Sequence, residues 1–276
     1  MFKYLNLKRL YYALGKKGFI EYIFTTIFLL FFYGPLLNAG MLAFANKYQY
    51  PSIFPNEWGF NWWVYILGRD NLVKSIFNSI TIALTVTGIS LLICIPAAYA
   101  LSRYEFKGKK AIMFSYLLSN AFPKMGLYVS IAILFYKFSL MGTFMGVVII
   151  HIINSLIYMV WLPMGAFRKV RKEQEEAARD VGANAFQTFL HVSLPLAIPG
   201  IAIASVFTFL GSMEEAQGTL LVGFPQINTI ATEMYGVIMD FPITAGAVFS
   251  LILIIPSLII IILFKKHITA DAIQIK

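Results

Sequence analysis

Six windows of this sequence, at about 20–45, 75–101, 111–137, 143–167, 198–222 and 243–264, are long and apolar with almost no charge. Roughly 20 predominantly apolar residues of helix cross a bilayer, and in hydrocarbon a helix is one of the few structures that satisfies every backbone polar group internally. No window alternates with the period of two that a lipid-facing barrel strand needs. The expected fold is an all-α membrane protein with six transmembrane helices. Composition agrees: 59% of the 276 residues are hydrophobic and 13% charged, against roughly 25% charged in soluble domains. That shortfall excludes a soluble globular enzyme, and the hydrophobicity excludes disorder. The first window does not read as a cleaved signal peptide, because it is too long, follows a polar arm and lacks a small-residue cleavage site.

The net charge of +9 has a topological meaning in such a chain. Seventeen Lys and Arg fall in the N-terminal arm, the 102–110 loop, the 168–197 loop and the C-terminal end from Lys265. Four (Lys47, Arg69, Lys74 and Lys137) fall on the other side, and Lys124 lies within a span. Basic residues collect in cytoplasmic loops, so the arm (1–19), the tail (266–276) and the 168–197 loop are expected in the cytoplasm, flanking a membrane domain at 20–265. The basic excess then calls for no nucleic acid. The lone Cys94 permits no internal disulfide, and no Cys/His cluster suggests a metal site. Each window holds a proline (Pro35, Pro96, Pro123, Pro163, Pro199, Pro256). These are either ordinary membrane-helix kinks with re-satisfied carbonyls or bends around a pathway that opens and closes. The aromatic segment 46–74 suits the outer interface.

The 168–197 loop is too long and too patterned for a linker. Residues 172–181 are strong helix formers, and Gly182 stands where a C′ glycine ends a helix. A second short helix is expected from near Asn184, with Phe186, Phe189 and Leu190 on one face. Pro195 and Pro199 then set the entry into the fifth window. The expectation is a cytoplasmic helix-turn-helix.

Within this loop stand Glu176, Ala177 and Ala178, then after three residues Gly182, then after nine more Val192, Leu194 and Pro195. This spacing resembles the signature E-A-A-x3-G-x9-I-x-L-P of the permease subunits of binding-protein-dependent ABC importers, with Val in place of Ile. The resemblance covers roughly 200 residues, from the second window to the C-terminus. It implies that the loop is a coupling element docking on an ATPase subunit, through Glu175, Glu176, Ala177, Ala178, Asp180, Gly182, Leu194 and Pro195. It also implies a second permease subunit, identical or related, two ATPase subunits carrying ATP and Mg, an extracytoplasmic solute-binding protein, and residence in a bacterial or archaeal plasma membrane. The chain has no G-x-x-x-x-G-K-[ST] phosphate loop of its own, so it is expected to be a transport subunit, not an enzyme, with no cofactor bound.

Two solute classes stay open at this point. The stretches around Ala178–Phe189, Phe209–Glu215 and Leu221–Ile230 resemble the polyamine/opine/phosphonate-type permeases more closely, which makes that class the first expectation, while Ile268–Ala272 resembles the ending of maltose-type carbohydrate permeases, the alternative. A secondary transporter would need no docking loop. A channel would bring a recognisable filter or a charged ring, and a membrane enzyme would bring a catalytic cluster, which His151, His191 and His267, on separate elements, do not form.

Polar residues inside spans are costly and face a bundle interior or a wet route. His151, Asn154, Ser155 and Tyr158 share one helical face, as interhelical glue or as pathway lining. Asn120 and Asn78 are isolated cases. Counting ~1.5 Å per residue from the inner ends of their spans puts Lys124 and Glu214 at matching depth. They are expected to share a polar environment, with Glu215 as substitute partner, unless Lys124 snorkels.

Overall fold

The computed structural model of the protein describes residues 7–273, with side chains at 12, 14–118 and 121–265. The side chains of the predicted tail, of most of the predicted arm and of Asn120 lie outside those described. The chain divides into two compact units, Met1–Val64 with Phe241–Leu251, and Tyr65–Asp240 with Ile252–Lys276.

In the first unit α1 (Leu7–Leu42) bends at Gly15, whose φ of 68° is open to glycine. Its segment Leu14–Leu42 is long and apolar enough to cross a membrane and buries none of its most apolar window. Two short antiparallel strands follow, β1 (Ala45–Lys47) and β2 (Glu57–Trp58). Aromatic contacts brace them: Phe44 packs against Phe60 and Trp63, at ring-centroid distances of 5.6 and 5.9 Å. The Trp63 indole N–H donates to the Ala43 carbonyl at 2.8 Å. The helix α2 (Asn61–Leu67) completes this aromatic segment.

The second unit carries the site. Its frame is α3 (Asp70–Arg103), the broken pair α4 (Lys109–Ala121) and α5 (Lys124–Lys137), α6 (Phe144–Lys169), the loop helices α7 (Lys172–Asp180) and α8 (Ala185–Thr188), and α9 (Leu194–Glu214). Then come α10 (Gln217–Val222) and α11 (Ile230–Asp240), and from Ile252 onward the remainder of α12 (Ile243–Ile273), whose first residues belong to the first unit. Helices α3, α6 and α9 form the core. Cys94, Ala98 and Tyr99 from α3 meet Met159, Val160, Met164 and Phe167 from α6, and Ala197, Ile201 and Ala204 from α9. Burying one of the large side chains among these (Met, Phe, Ile or Val) contributes about 1.5–3 kcal/mol in water, but against lipid the gain comes from close packing, which small residues permit.

Five helices among the described residues are long and apolar enough to cross a membrane. The predicted third window is not a single helix. Phe122 and Pro123 take extended backbone between α4 and α5, because the residue before a proline is driven out of the helical region. The predicted fifth window is shifted. The helical run begins at Ala185 and ends at Glu214, and a π turn at Phe189–Ser193 joins α8 to α9 without interruption. Pro195 is the second residue of α9, just after the π turn, and gives no N–H to the turn before it. The wider π turn also divides the face expected of Phe186, Phe189 and Leu190. Phe189 turns in, 4.8 Å from the Tyr99 ring, while Phe186 and Leu190 stay exposed.

At Gly200 α9 comes so close to α6 that an added Cβ would lie 2.5 Å from that of Ala166. Gly200→Val is therefore expected to force α6 and α9 apart, at a cost of about 1–3 kcal/mol. The check is the thermal unfolding midpoint in detergent, with Gly211→Ala as the control, since no atom lies within 4 Å of a Cβ added there.

Candidate functional site

Two polar assemblies stand out in the second unit. The first is built on the 168–197 loop. Helix α7 ends in a Schellman turn: the Ala183 N–H reaches the Ala178 carbonyl at 3.0 Å, and the Gly182 N–H reaches the Arg179 carbonyl at 2.9 Å. Gly182 holds a φ of 97°, a value that the absence of a Cβ makes inexpensive. Helix α8 then opens with a capping box. The Asn184 Oδ1 accepts from the Gln187 N–H and the Gln187 Oε1 accepts from the Asn184 N–H, both at 2.9 Å. Residues 172–188 thus form two short helices joined by a tight turn.

The exposed side of this loop carries Glu176, Ala177, Asp180 and Gly182. Val181 is 87% and Phe186 70% exposed beside them, an apolar patch next to two carboxylates. Pro195 is exposed, Ala178 is half-buried, and Leu194 packs into the three-helix core. Glu175 departs from the expected set. It is 4% exposed, and its Oε1 accepts from the Arg103 Nε at 2.9 Å and from the Ser193 hydroxyl at 2.6 Å. Adjacent helical residues point about 100° apart, so Glu175 can turn in while Glu176 faces out. A buried carboxylate needs a cation, and Arg103 supplies it.

The second assembly lies where the helices break. Helix α9 stops at Glu214, and Glu215 takes extended backbone ahead of α10. The Glu215 side chain is turned into the protein and the residue is 5% exposed. Its Oε1 accepts from the Gly218 N–H at 2.9 Å, capping the first turn of α10. Its Oε2 accepts from the Tyr128 hydroxyl at 2.8 Å and from the Asn154 Nδ2 at 3.1 Å. Lys124 Nζ stands 3.9 Å from the same oxygen, with 45% of its side chain exposed. The partner of Lys124 is thus Glu215, not the Glu214 favoured by the depth count, and Glu214 is exposed. The count assumed two unbroken helices. The actual breaks at Phe122–Pro123 and Glu215–Ala216 bring the start of α5 to the end of α9.

His151 sits one turn along α6 from Asn154. Its Nδ1 and Nε2 lie 2.8 Å from the Ser212 and Thr219 hydroxyls. The Thr219 hydroxyl donates to the Glu215 carbonyl at 3.1 Å, so its oxygen is left to accept from Nε2–H. His151 therefore clamps both sides of the α9–α10 break. The predicted stripe on α6 divides accordingly. Ser155 donates to the Ile152 carbonyl and lies 3.4 Å from the Ser90 hydroxyl on α3. Tyr158 stacks on Phe207 at 5.6 Å, both rings well exposed. Asn78 donates to the Asn228 carbonyl at 3.0 Å, and Ser79 accepts from the Ile230 N–H, fixing the segment ahead of α11.

Sequence reasoning missed Tyr128, Ser212 and Thr219. The available signal was the i, i+4 spacing that places Tyr128 one turn after Lys124. Among the described residues no group of three His, Cys, Asp or Glu side chains could hold a metal ion. The geometry predicts that Lys124→Met and Glu215→Gln couple by about 0.5–1 kcal/mol in a double-mutant cycle on thermal stability, whereas Lys124→Met and Glu214→Gln add independently.

A family model described as "Binding-protein-dependent transport system inner membrane component" matches residues 90–270. The diacetylchitobiose uptake system permease protein NgcG of Streptomyces coelicolor is 26% identical over 251 residues, covering 87% of this chain and 82% of that protein. The spermidine/putrescine transport system permease protein PotC of Escherichia coli is 26% identical over 220 residues, covering 74% and 83%. Among solved structures, a bacterial ABC transporter that imports the acidic polysaccharide alginate shares the fold at a TM-score of 0.67 and 18% identity, with 96% of this chain and 99% of that one covered. The match spans two-thirds of the sequence and takes in the whole signature loop and the polar site, so the chain belongs to the family of inner-membrane permease components of binding-protein-dependent ABC importers.

Proposed function

We propose that this permease pairs with a second permease subunit, identical or related, to enclose a solute pathway. Two separate ATPase chains carrying ATP and Mg drive it, and an extracytoplasmic binding protein delivers the solute. In this reading residues 20–265 form the membrane domain, and α4 and α5 together make one broken span, giving six. The arm at 1–19, the tail at 266–276 and the 168–197 loop face the cytoplasm, where the basic residues concentrate.

The observation that carries the docking proposal is the exposed face of α7 and its Schellman turn, where Glu176, Ala177 and Asp180 stand beside Val181 and Phe186. Small and apolar side chains allow a partner surface to approach closely. The exposed carboxylates suit a basic groove. Glu176→Lys is expected to abolish retention of the ATPase during purification. Gly182→Val, which forces a β-branched residue to positive φ at a site with open space around it, is expected to abolish transport with normal membrane insertion. Wild-type uptake and normal ATPase retention in either variant would refute docking through this face.

The solute is proposed to be a carbohydrate. The stacked, exposed pair Tyr158 and Phe207 offers an aromatic platform to a sugar face, and Glu215 is already neutralised by Lys124 and three hydrogen bonds. Permeases named for diacetylchitobiose, trehalose and maltodextrin are among its relatives. A polyamine is the second reading, favoured by the exposed Glu214 and by the PotC likeness. Uptake into proteoliposomes holding the assembled importer separates the two. The carbohydrate reading expects transport of an oligosaccharide and not of spermidine, and a fall of up to about tenfold for Tyr158→Ala. Uptake of spermidine alone reverses the assignment.

A further inference from the structure

The inward turn of Glu175 is unexplained by docking, since a group so buried meets no partner chain. Its surroundings assign it another task. Arg103 is the last residue of α3, and its guanidinium gives Nε to Glu175 Oε1 at 2.9 Å, with a terminal nitrogen 2.8 Å from the same oxygen. That terminal nitrogen also donates to the Val170 carbonyl, at the end of α6, at 2.9 Å. The Ser193 hydroxyl, from the π turn that leads into α9, completes the set at 2.6 Å. One carboxylate oxygen on α7 is thus tied to α3 and α9, and through Arg103 to α6. These three helices are the core of the unit, and the side chains of Arg103 and Glu175 are only 8% and 6% exposed.

We propose that Arg103 and Glu175 form the rigid linkage through which displacement of α7 by the ATPase moves α3, α6 and α9. They act as positioning residues for coupling and leave docking to Glu176. The physical case is one of stiffness. An exposed ion pair yields to water and salt. A buried guanidinium that sets two nitrogens against one carboxylate oxygen and also donates to the Val170 carbonyl is held in orientation as well as distance, and parting it from the carboxylate would strand a charge away from water. The linkage rests on the docking reading above, and the experiment keeps the two apart.

In the importer assembled with its ATPase and binding protein in proteoliposomes, Glu175→Gln is expected to retain the ATPase subunits and hydrolyse ATP, with solute moved per ATP reduced about tenfold. Loss of the ATPase subunits from Glu175→Gln would make Glu175 a docking residue and overturn the linkage. Unchanged solute moved per ATP overturns it as well. Arg103→Met combined with Glu175→Leu removes both charges while keeping apolar volume, so it guards against a mere folding defect. The linkage expects this pair to fold and remain uncoupled, whereas wild-type coupling in it would reduce the ion pair to a structural role. Glu176→Lys runs alongside. If it keeps its ATPase and transports normally, the docking reading fails, whatever Glu175→Gln does.

Discussion

A carboxylate withdrawn from water must be met by donors, and two such groups govern this fold. Glu215 sits at the break between α9 and α10 and Glu175 on the loop helix α7, each accepting several hydrogen bonds from different helices. Neither could be buried alone, since an isolated charge in an apolar interior is expensive on any scale. The donors therefore dictate geometry. For Glu215 they fix α5, α6 and α10 around the end of α9. For Glu175 they fix the loop to the ends of the core helices. The apolar packing of α3, α6 and α9 supplies cohesion, and the two carboxylates supply register.

This division explains what could be read from the sequence. Apolar windows follow from length and hydropathy, so most of the spans were legible, and so was the Schellman turn, because Gly182 and the capping box of Asn184 and Gln187 are local signals. The broken third window was half legible: Pro123 was visible, but whether it bends or severs a helix depends on what its neighbours do with the freed backbone groups. Choosing between Glu175 and Glu176 was not legible at all. Both belong to one helix and one charge class, and only Arg103, seventy-two residues away in sequence, decides which turns inward. The same holds for Lys124. Its depth was calculable, but its partner depended on a helix end at Glu214 that no periodicity announced.

The two helix breaks in the second unit are chemically alike. At Phe122–Pro123 and at Glu215–Ala216 the backbone leaves the helix, and in each case unpaired backbone groups must find partners without help from lipid. Glu215 offers one solution by accepting from the Gly218 N–H across its own break while Lys124, at the start of α5, approaches it. His151 adds a second tie, bridging Ser212 before the break to Thr219 after it. Interrupted helices of this kind are tolerated where the irregular backbone is enclosed by protein or faces a cavity, and they are the usual places for solute and ion sites in transporters.

A transport subunit must be stiff where force enters and adjustable where solute passes, and the two polar assemblies differ in that sense. Around Glu175 the contacts are short, charged and almost wholly buried, and they join the ends of long continuous helices. Around Glu215 the donors are a phenol, an amide and one backbone N–H, with an ammonium that is nearly half exposed paired at 3.9 Å. Long, partly solvated contacts can be remade at small cost, whereas the buried guanidinium pair cannot. In the proposed linkage, motion imposed on α7 passes to α3, α6 and α9 through the Glu175 contacts, whereas at the α9–α10 break the longest of the Glu215 contacts is the one to the residue that opens α5.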